Sequence, residues 1–263
     1  MQARINDIDM HYEITGHVPW LTLSHSLATT LDMWQPQVQR LGRHFTLLRY
    51  DTRGHGGTSA PPAPYTLAQL ADDAHALLQH LGVARTHWLG LSMGGMVGQM
   101  LAIRHPQVLH RVVLADTTGQ VPPAGAQMWG DRMHTARTQG LQALEQPTLS
   151  RWFTDPYRAA RPEVMATIGA MIRHTSVEGY AGCCAAIAST DTLQALQAQT
   201  APALVIVGAQ DQATPPAAAQ ALADHWPGAR LVVLPGAAHL ANIEQADTFN
   251  DAVLDFLLAG PAT

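Results

Sequence analysis

The chain of 263 residues contains no lysine; all fifteen of its basic side chains are arginine. That excludes chemistry built on a side-chain primary amine, such as a Schiff-base nucleophile, a pyridoxal phosphate anchor or the lysine of a phosphate-binding loop. Cysteine is nearly as scarce. The two present, Cys183 and Cys184, are adjacent, a spacing that rarely closes a disulfide and fits no zinc-ligand pattern, so they read as small apolar packing residues. No apolar run reaches the roughly 18 residues that a membrane span needs. Met1-Gln2-Ala3-Arg4-Ile5-Asn6 also lacks the apolar core of a signal peptide. A cytoplasmic protein with no membrane contact is expected. Charged residues make up only 13% of the chain, the net charge is −5, and the arginines are scattered. A nucleic-acid partner, which requires a basic stripe, is excluded on that pattern.

What the chain does have is apolar content, 47%, enough at this length for one large α/β domain with an insertion. Residues 2–16 alternate through Ile8, Met10, Tyr12 and Ile14 as an antiparallel edge hairpin would. Strand-like runs follow at 21–24, 45–50, 86–91, 110–115, 203–207 and 230–234, separated by helical stretches. That order predicts a mostly parallel central sheet flanked by helices. One helix is well marked. Thr66 and Gln69 form a capping box, Leu67, Leu70, Ala74, Leu77, Leu78 and Leu81 make its apolar stripe, and Gly82 ends it. After the sixth strand, from Asp116 to Thr192, the alternation gives way to helical periodicity, with breaks expected at Pro122-Pro123, Pro147, Pro156 and Pro162. The expected division is a core of residues 1–118 and 193–263 and a helical cap of residues 119–192. An insertion there lies over the carboxyl ends of the strands, where open α/β sheets bind ligands.

Gly90-Leu91-Ser92-Met93-Gly94-Gly95 follows the strand-like Thr86-His87-Trp88-Leu89 and opens a helical run. In that context G-x-S-x-G is a nucleophile elbow, in which small flanking residues let the backbone turn sharply and lift a serine hydroxyl clear of the sheet. Ser92 is the predicted nucleophile, and a free hydroxyl needs a base and an acid to be effective. With an elbow of this kind the acid and then the base come later in the chain. The run 203–207 ends in Gly208-Ala209-Gln210-Asp211, and Leu231-Val232-Val233-Leu234 breaks into Pro235-Gly236-Ala237-Ala238-His239. Asp211 is therefore the predicted acid and His239 the predicted base among fourteen histidines. Asp116, at the end of the run 111–115, is the alternative acid. The oxyanion that acyl transfer creates needs two donors, predicted to be the backbone amides of Met93 and of Leu27 in His25-Ser26-Leu27-Ala28. His25 lies on the same strand-exit loop and is a candidate for substrate contact.

Several motifs coincide. Leu31-Asp32-Met33-Trp34, Arg49-Tyr50-Asp51-Thr52-Arg53-Gly54-His55-Gly56, Tyr65-Thr66-Leu67, the elbow with Gly98-Gln99, Trp129-Gly130-Asp131-Arg132 and His239-Leu240-Ala241-Asn242-Ile243-Glu244 together resemble the α/β-hydrolase superfamily and, within it, the 3-oxoadipate enol-lactonases. The likeness extends over most of the chain. It implies the α/β-hydrolase fold, a serine hydrolase that needs no cofactor and no metal, and a small anionic lactone as substrate. Its carboxylate would need a buried cationic partner, for which Arg132 is the candidate. Trp129, three residues away on the same helix face, and Trp152 are candidates for the pocket wall. The resembled family usually reads Asn-Ser-Leu-Gly where this chain has His25-Ser26-Leu27-Ala28, which leaves open a general carboxylesterase or another lactonase. A ligand-sensing, receptor-like hydrolase and a cofactor-free dioxygenase are rivals of another class. Haloalkane dehalogenation is disfavoured, since those enzymes carry Asp where Ser92 stands.

Overall fold

In the computed structural model, which describes residues 1–16 and 19–260, the strand-like runs become one eight-stranded sheet. Positions 17, 18 and 261–263 of the predicted core range lie outside the described residues. The strands are β1 (Gln2–Ile5), β2 (Ile8–Thr15), β3 (Trp20–Ser24), β4 (Thr46–Tyr50), β5 (Thr86–Leu91), β6 (Leu109–Ala115), β7 (Ala203–Gly208) and β8 (Arg230–Leu234). They are ordered β1-β2-β4-β3-β5-β6-β7-β8. β1 and β2 pair antiparallel at one edge, β2 meets β4 antiparallel, and all other pairs are parallel. The burial patterns explain the sequence patterns. β4 and β7 are buried at every residue because helices cover both faces, whereas β2 alternates because it does not share that double cover.

The flanking helices are α1 (Gln35–Leu41), α2 (Leu67–His80) and α3 (Met93–Arg104). α4 (Pro123–Gln139), α5 (Gln142–Trp152), α6 (Asp155–Ala160), α7 (Pro162–His174), α8 (Val177–Ala188) and α9 (Leu193–Leu196) fill the interval between β6 and β7. α10 (Pro216–His225), α11 (Ala241–Glu244) and α12 (Ala246–Leu257) complete the set. α2 starts where the capping box predicts, with the Gln69 amide donating to Thr66 Oγ1 at 3.1 Å, and Leu67, Leu70, Ala74, Leu77 and Leu78 are buried. Among the described residues no helix is long and apolar enough to cross a membrane.

Register sets the site. Ser24 pairs with both Tyr50 and Gly90, Leu91 with Ala115, Ala115 with Ile206 and Gly208 with Leu234. The strands therefore end nearly level, and the loops after β3, β5, β7 and β8 open along one edge. The strand order reverses at β3, between β4 and β5, which makes the crevice beyond β3 and β5 the place where such a sheet binds ligands.

The two ends of the helical interval are tied together. Gln120 bridges Asp191, the Val121 amide donates to Thr190 O at 2.9 Å and the Thr192 amide to Gly119 O at 2.8 Å. Three of the expected breaks are helix starts: Pro123 and Pro162 open α4 and α7, and Pro156 sits in the first turn of α6. Pro147 breaks nothing; α5 runs through it. An interior proline costs roughly 3 kcal/mol, and here the burial of Leu144, Thr148, Leu149 and Trp152 on the same helix holds the element together.

Candidate active site

β5 ends at Leu91 and α3 begins at Met93, so the single residue between them makes the whole turn. Ser92 sits at φ 55°, ψ −115°, a conformation L-residues rarely adopt. Its neighbours explain how this is possible. A Cβ on Gly90 would collide with the Gly94 carbonyl, and one on Gly94 with the Ser24 carbonyl of β3. Only glycine lets helix and sheet approach this closely. The Ser92 amide donates to Ala115 O at 2.9 Å, and Thr117 Oγ1 donates to Ser92 O at 2.7 Å, which fixes the turn from the β6 side.

Asp211 and His239 arrive from β7 and β8. Asp211 Oδ1 accepts the amides of Ala213 at 2.7 Å and Thr214 at 3.0 Å, and Oδ2 accepts the Thr214 hydroxyl and His239 Nδ1, both at 2.8 Å. Burial alone would raise this carboxyl's pKa. The imidazole and the hydrogen bonds outweigh burial and hold it below the usual carboxylate range. Nδ1–H of His239 therefore donates to an ionised carboxylate, which leaves Nε2 as the ring's acceptor. Asp116 behaves oppositely. It is fully buried at φ 45°, and its Oδ1 accepts the Gly208 amide at 2.8 Å. Burial first, and the Asp211 charge second, push its pKa well up, favouring the neutral acid. The imidazole is bonded to Asp211, not to the alternative acid.

The loop after β3 presents Leu27. The amide of Ser26 donates to Met33 Sδ, that of Ala28 to His55 Nε2 at 2.9 Å and that of Thr29 to Ser26 O, while the Leu27 amide gives no hydrogen bond to protein among the described residues. The Met93 amide is likewise without a partner there, as expected at the first position of a helix. His25 does not line the cavity. It is fully buried beneath the loop; its Nε2 accepts the Thr52 amide at 2.8 Å, so Nδ1–H donates to Ser26 O at 2.7 Å. The expected substrate contact is thus corrected to a scaffold: both ring nitrogens are consumed by backbone. His55 packs beside it with ring centroids 5.2 Å apart, and its hold on Ala28, at φ 58°, shapes the loop.

One cavity brings Leu27, Ser92 and His239 together with Trp129, Arg132 and Trp152. Trp152 lies against the His239 ring at 5.9 Å, tilted by 33°, and its carbonyl accepts the Leu240 amide at 3.1 Å. Arg132 donates from Nε to Tyr180 Oη at 2.8 Å and from Nη2 to Thr148 Oγ1 at 2.9 Å, and its guanidinium lies 5.7 Å from the Trp129 ring centroid. Sequence reasoning missed Thr148, Thr214 and Tyr180, which orient these groups, and a second guanidinium, Arg151, in the same wall. It also missed Glu244. That buried carboxylate accepts the Thr154 amide at 3.0 Å, the Thr154 hydroxyl and the Ala238 amide at 2.9 Å, tying the α5–α6 junction to the His239 loop. Arg151 adjoins Trp152 in sequence, the one local signal that existed; the others depend on which helices meet.

A serine on a strained turn, an imidazole bonded to a carboxylate and the unpartnered Leu27 amide meet at one cavity, a set of groups that can support acyl transfer through a covalent intermediate. Comparisons with known proteins agree. The model of the alpha/beta hydrolase fold family matches residues 19–246. The 3-oxoadipate enol-lactonase 2 of Acinetobacter baylyi is 40% identical over 249 residues, 94% of this chain and 92% of that protein. The crystal structure of the enol-lactonase from Burkholderia xenovorans LB400 superimposes with a TM-score of 0.95 at 44% identity, covering 98% of this chain and 100% of that one. A thermophilic esterase from Thermogutta terrifontis, solved with malate bound, has a TM-score of 0.93 at 28% identity and 98% coverage of both chains. The chain belongs to the α/β hydrolase fold family, in the branch that carries the 3-oxoadipate enol-lactonases.

Proposed function

We propose that this protein is a cytoplasmic serine hydrolase that opens the ring of 3-oxoadipate enol-lactone to 3-oxoadipate, a step of the β-ketoadipate branch of aromatic catabolism. Ser92 is the nucleophile, His239 the base and Asp211 the group that holds the imidazole tautomer. His239 Nε2 takes the Ser92 proton as Oγ attacks the lactone carbonyl, and the amides of Leu27 and Met93 receive the oxyanion. Collapse breaks the ring C–O bond. The leaving oxygen is an enolate, which takes the proton from His239 and tautomerises to the ketone, so the ring does not reclose. Water, deprotonated by His239, then attacks the acyl-enzyme, and cleavage of the Ser92 ester releases the keto acid.

The helices of residues 119–192 act in this reading as the cap that selects substrate. Arg132 takes the carboxylate that the lactone brings in, with Trp129 and Trp152 as walls against its flat ring. The observation that carries the proposal is the meeting in one cavity of Ser92, His239 and an arginine that has no carboxylate partner among the described residues. It is tested by comparing kcat/KM for the anionic enol-lactone and for a neutral short-chain ester. The enol-lactone should be preferred, and Arg132→Ala should raise its KM about tenfold with a smaller effect on the ester. Equal turnover of both substrates, or an unchanged KM, would sink the proposal.

A further inference from the structure

Arg132 and Arg151 stand in the wall of the same cavity, and among the described residues neither has a carboxylate within ion-pair distance. Their situations differ. Arg132 is held in place by a phenol, a hydroxyl and a tryptophan face. Arg151, in the last turn of α5, reaches only Met128 Sδ at 3.7 Å and Gln212 O at 3.4 Å, both long contacts. Burial, reinforced by the like charge of Arg132, pushes its pKa below the ordinary guanidinium range, while the Asp211 charge pulls the other way. Two half-desolvated cations at one site are unfavourable in the empty protein, and anionic ligands offset that cost.

We propose that Arg151 is a second anion-binding residue, and that with Arg132 it makes the cavity a receptor for small dicarboxylates. Which dicarboxylate matters in the cell rests on the lactonase reading above; the pairing of charges does not. In that reading the ligand enters with one negative charge and acquires a second, first as the tetrahedral oxyanion and then as the carboxylate that hydrolysis creates. Arg132 holds the carboxylate brought in. Arg151, whose Nη2 reaches Gln212 O on the loop that carries Asp211, is assigned the new one. The ring-opened product therefore binds more tightly than a monoanion of the same length, and a dicarboxylate competes with the substrate.

Calorimetric titration of the intact protein with adipate and with hexanoate tests this without reference to turnover. The wild type should bind adipate about tenfold more tightly. Arg151→Gln should bring the two affinities to within about threefold, and Arg151→Lys, which keeps the charge, should restore part of the preference. Equal affinities in the wild type, no binding of either acid, or an undiminished preference in Arg151→Gln would overturn the proposal. Should Arg151→Gln fail to fold, the wild-type ratio and its partial retention in Arg151→Lys still decide. Adipate selectivity in a protein that does not open the enol-lactone would defeat the lactonase reading and leave this site standing. Lactone turnover without adipate selectivity would do the reverse.

Discussion

Two buried aspartates lie at the ends of adjacent strands, and their environments push them in opposite directions. Asp211 accepts four hydrogen bonds, one from the imidazole, and its carboxylate is held ionised. Asp116 accepts the Gly208 amide, has no imidazole beside it in hydrogen-bond contact among the described residues, and is driven toward its neutral form by burial and by Asp211. Removing the charge should therefore matter at only one of them. Asp211→Asn, which would present the wrong tautomer of His239, is expected to lower kcat on the enol-lactone by about 10⁴-fold. Asp116→Asn replaces a group already disposed to be neutral and should change kcat by no more than about threefold. Steady-state kinetics of the two variants checks both, and the opposite ranking would transfer the acid's role to Asp116.

The elements act through their ends. Glu244, on the short helix α11, uses both oxygens to join the α5–α6 junction to the loop of His239, while Trp152 at the end of α5 packs on the imidazole. Glu244→Gln puts an amide donor where a backbone donor already points, so urea unfolding should show a loss of about 1–3 kcal/mol. The same variant should lower kcat more than it alters KM; wild-type stability would show that the junction needs no clamp. The loops that carry Ser92, Asp211 and His239 were legible in the sequence because each follows an apolar run that breaks into small or turn-forming residues: Leu91 into Ser92, Val207 into Gly208 and Leu234 into Pro235. The clamp was not legible, since nothing around Glu244 announces that Thr154, ninety positions earlier, lies beside it. Pro147 misled for a related reason: local chemistry says break, and packing of the surrounding helix decides otherwise. The misplacement of His25 came from reading loop position as exposure to the cavity, whereas the Thr52 amide captures its ring from below.

Across the whole molecule, the paired imidazoles beneath the Leu27 loop couple stability to pH. Burial, with a smaller contribution from His25, drives the pKa of His55 down to about 3 from an ordinary 6.5, and burial also lowers that of His25. Between those two pH values the unfolded chain binds a proton at His55 that the folded protein refuses. The contribution of neutral His55 to stability is therefore complete above about pH 6.5 and drains away as pH falls toward 3, at about 1.4 kcal/mol per pH unit. Urea unfolding between pH 7 and pH 5 should show stability falling with acid, and His55→Gln should shallow that slope by close to one proton; an unchanged slope would place the protonation elsewhere. The fold thus builds a mouth from the ends of level strands, where one cavity gathers Leu27, Ser92 and His239. The most direct test is the hydrolysis of 3-oxoadipate enol-lactone by Ser92→Ala beside the wild type. The account predicts rapid ring opening by the wild type and a loss of at least about 10³-fold in kcat for the variant, whereas a variant that turns the lactone over at the wild-type rate would contradict it.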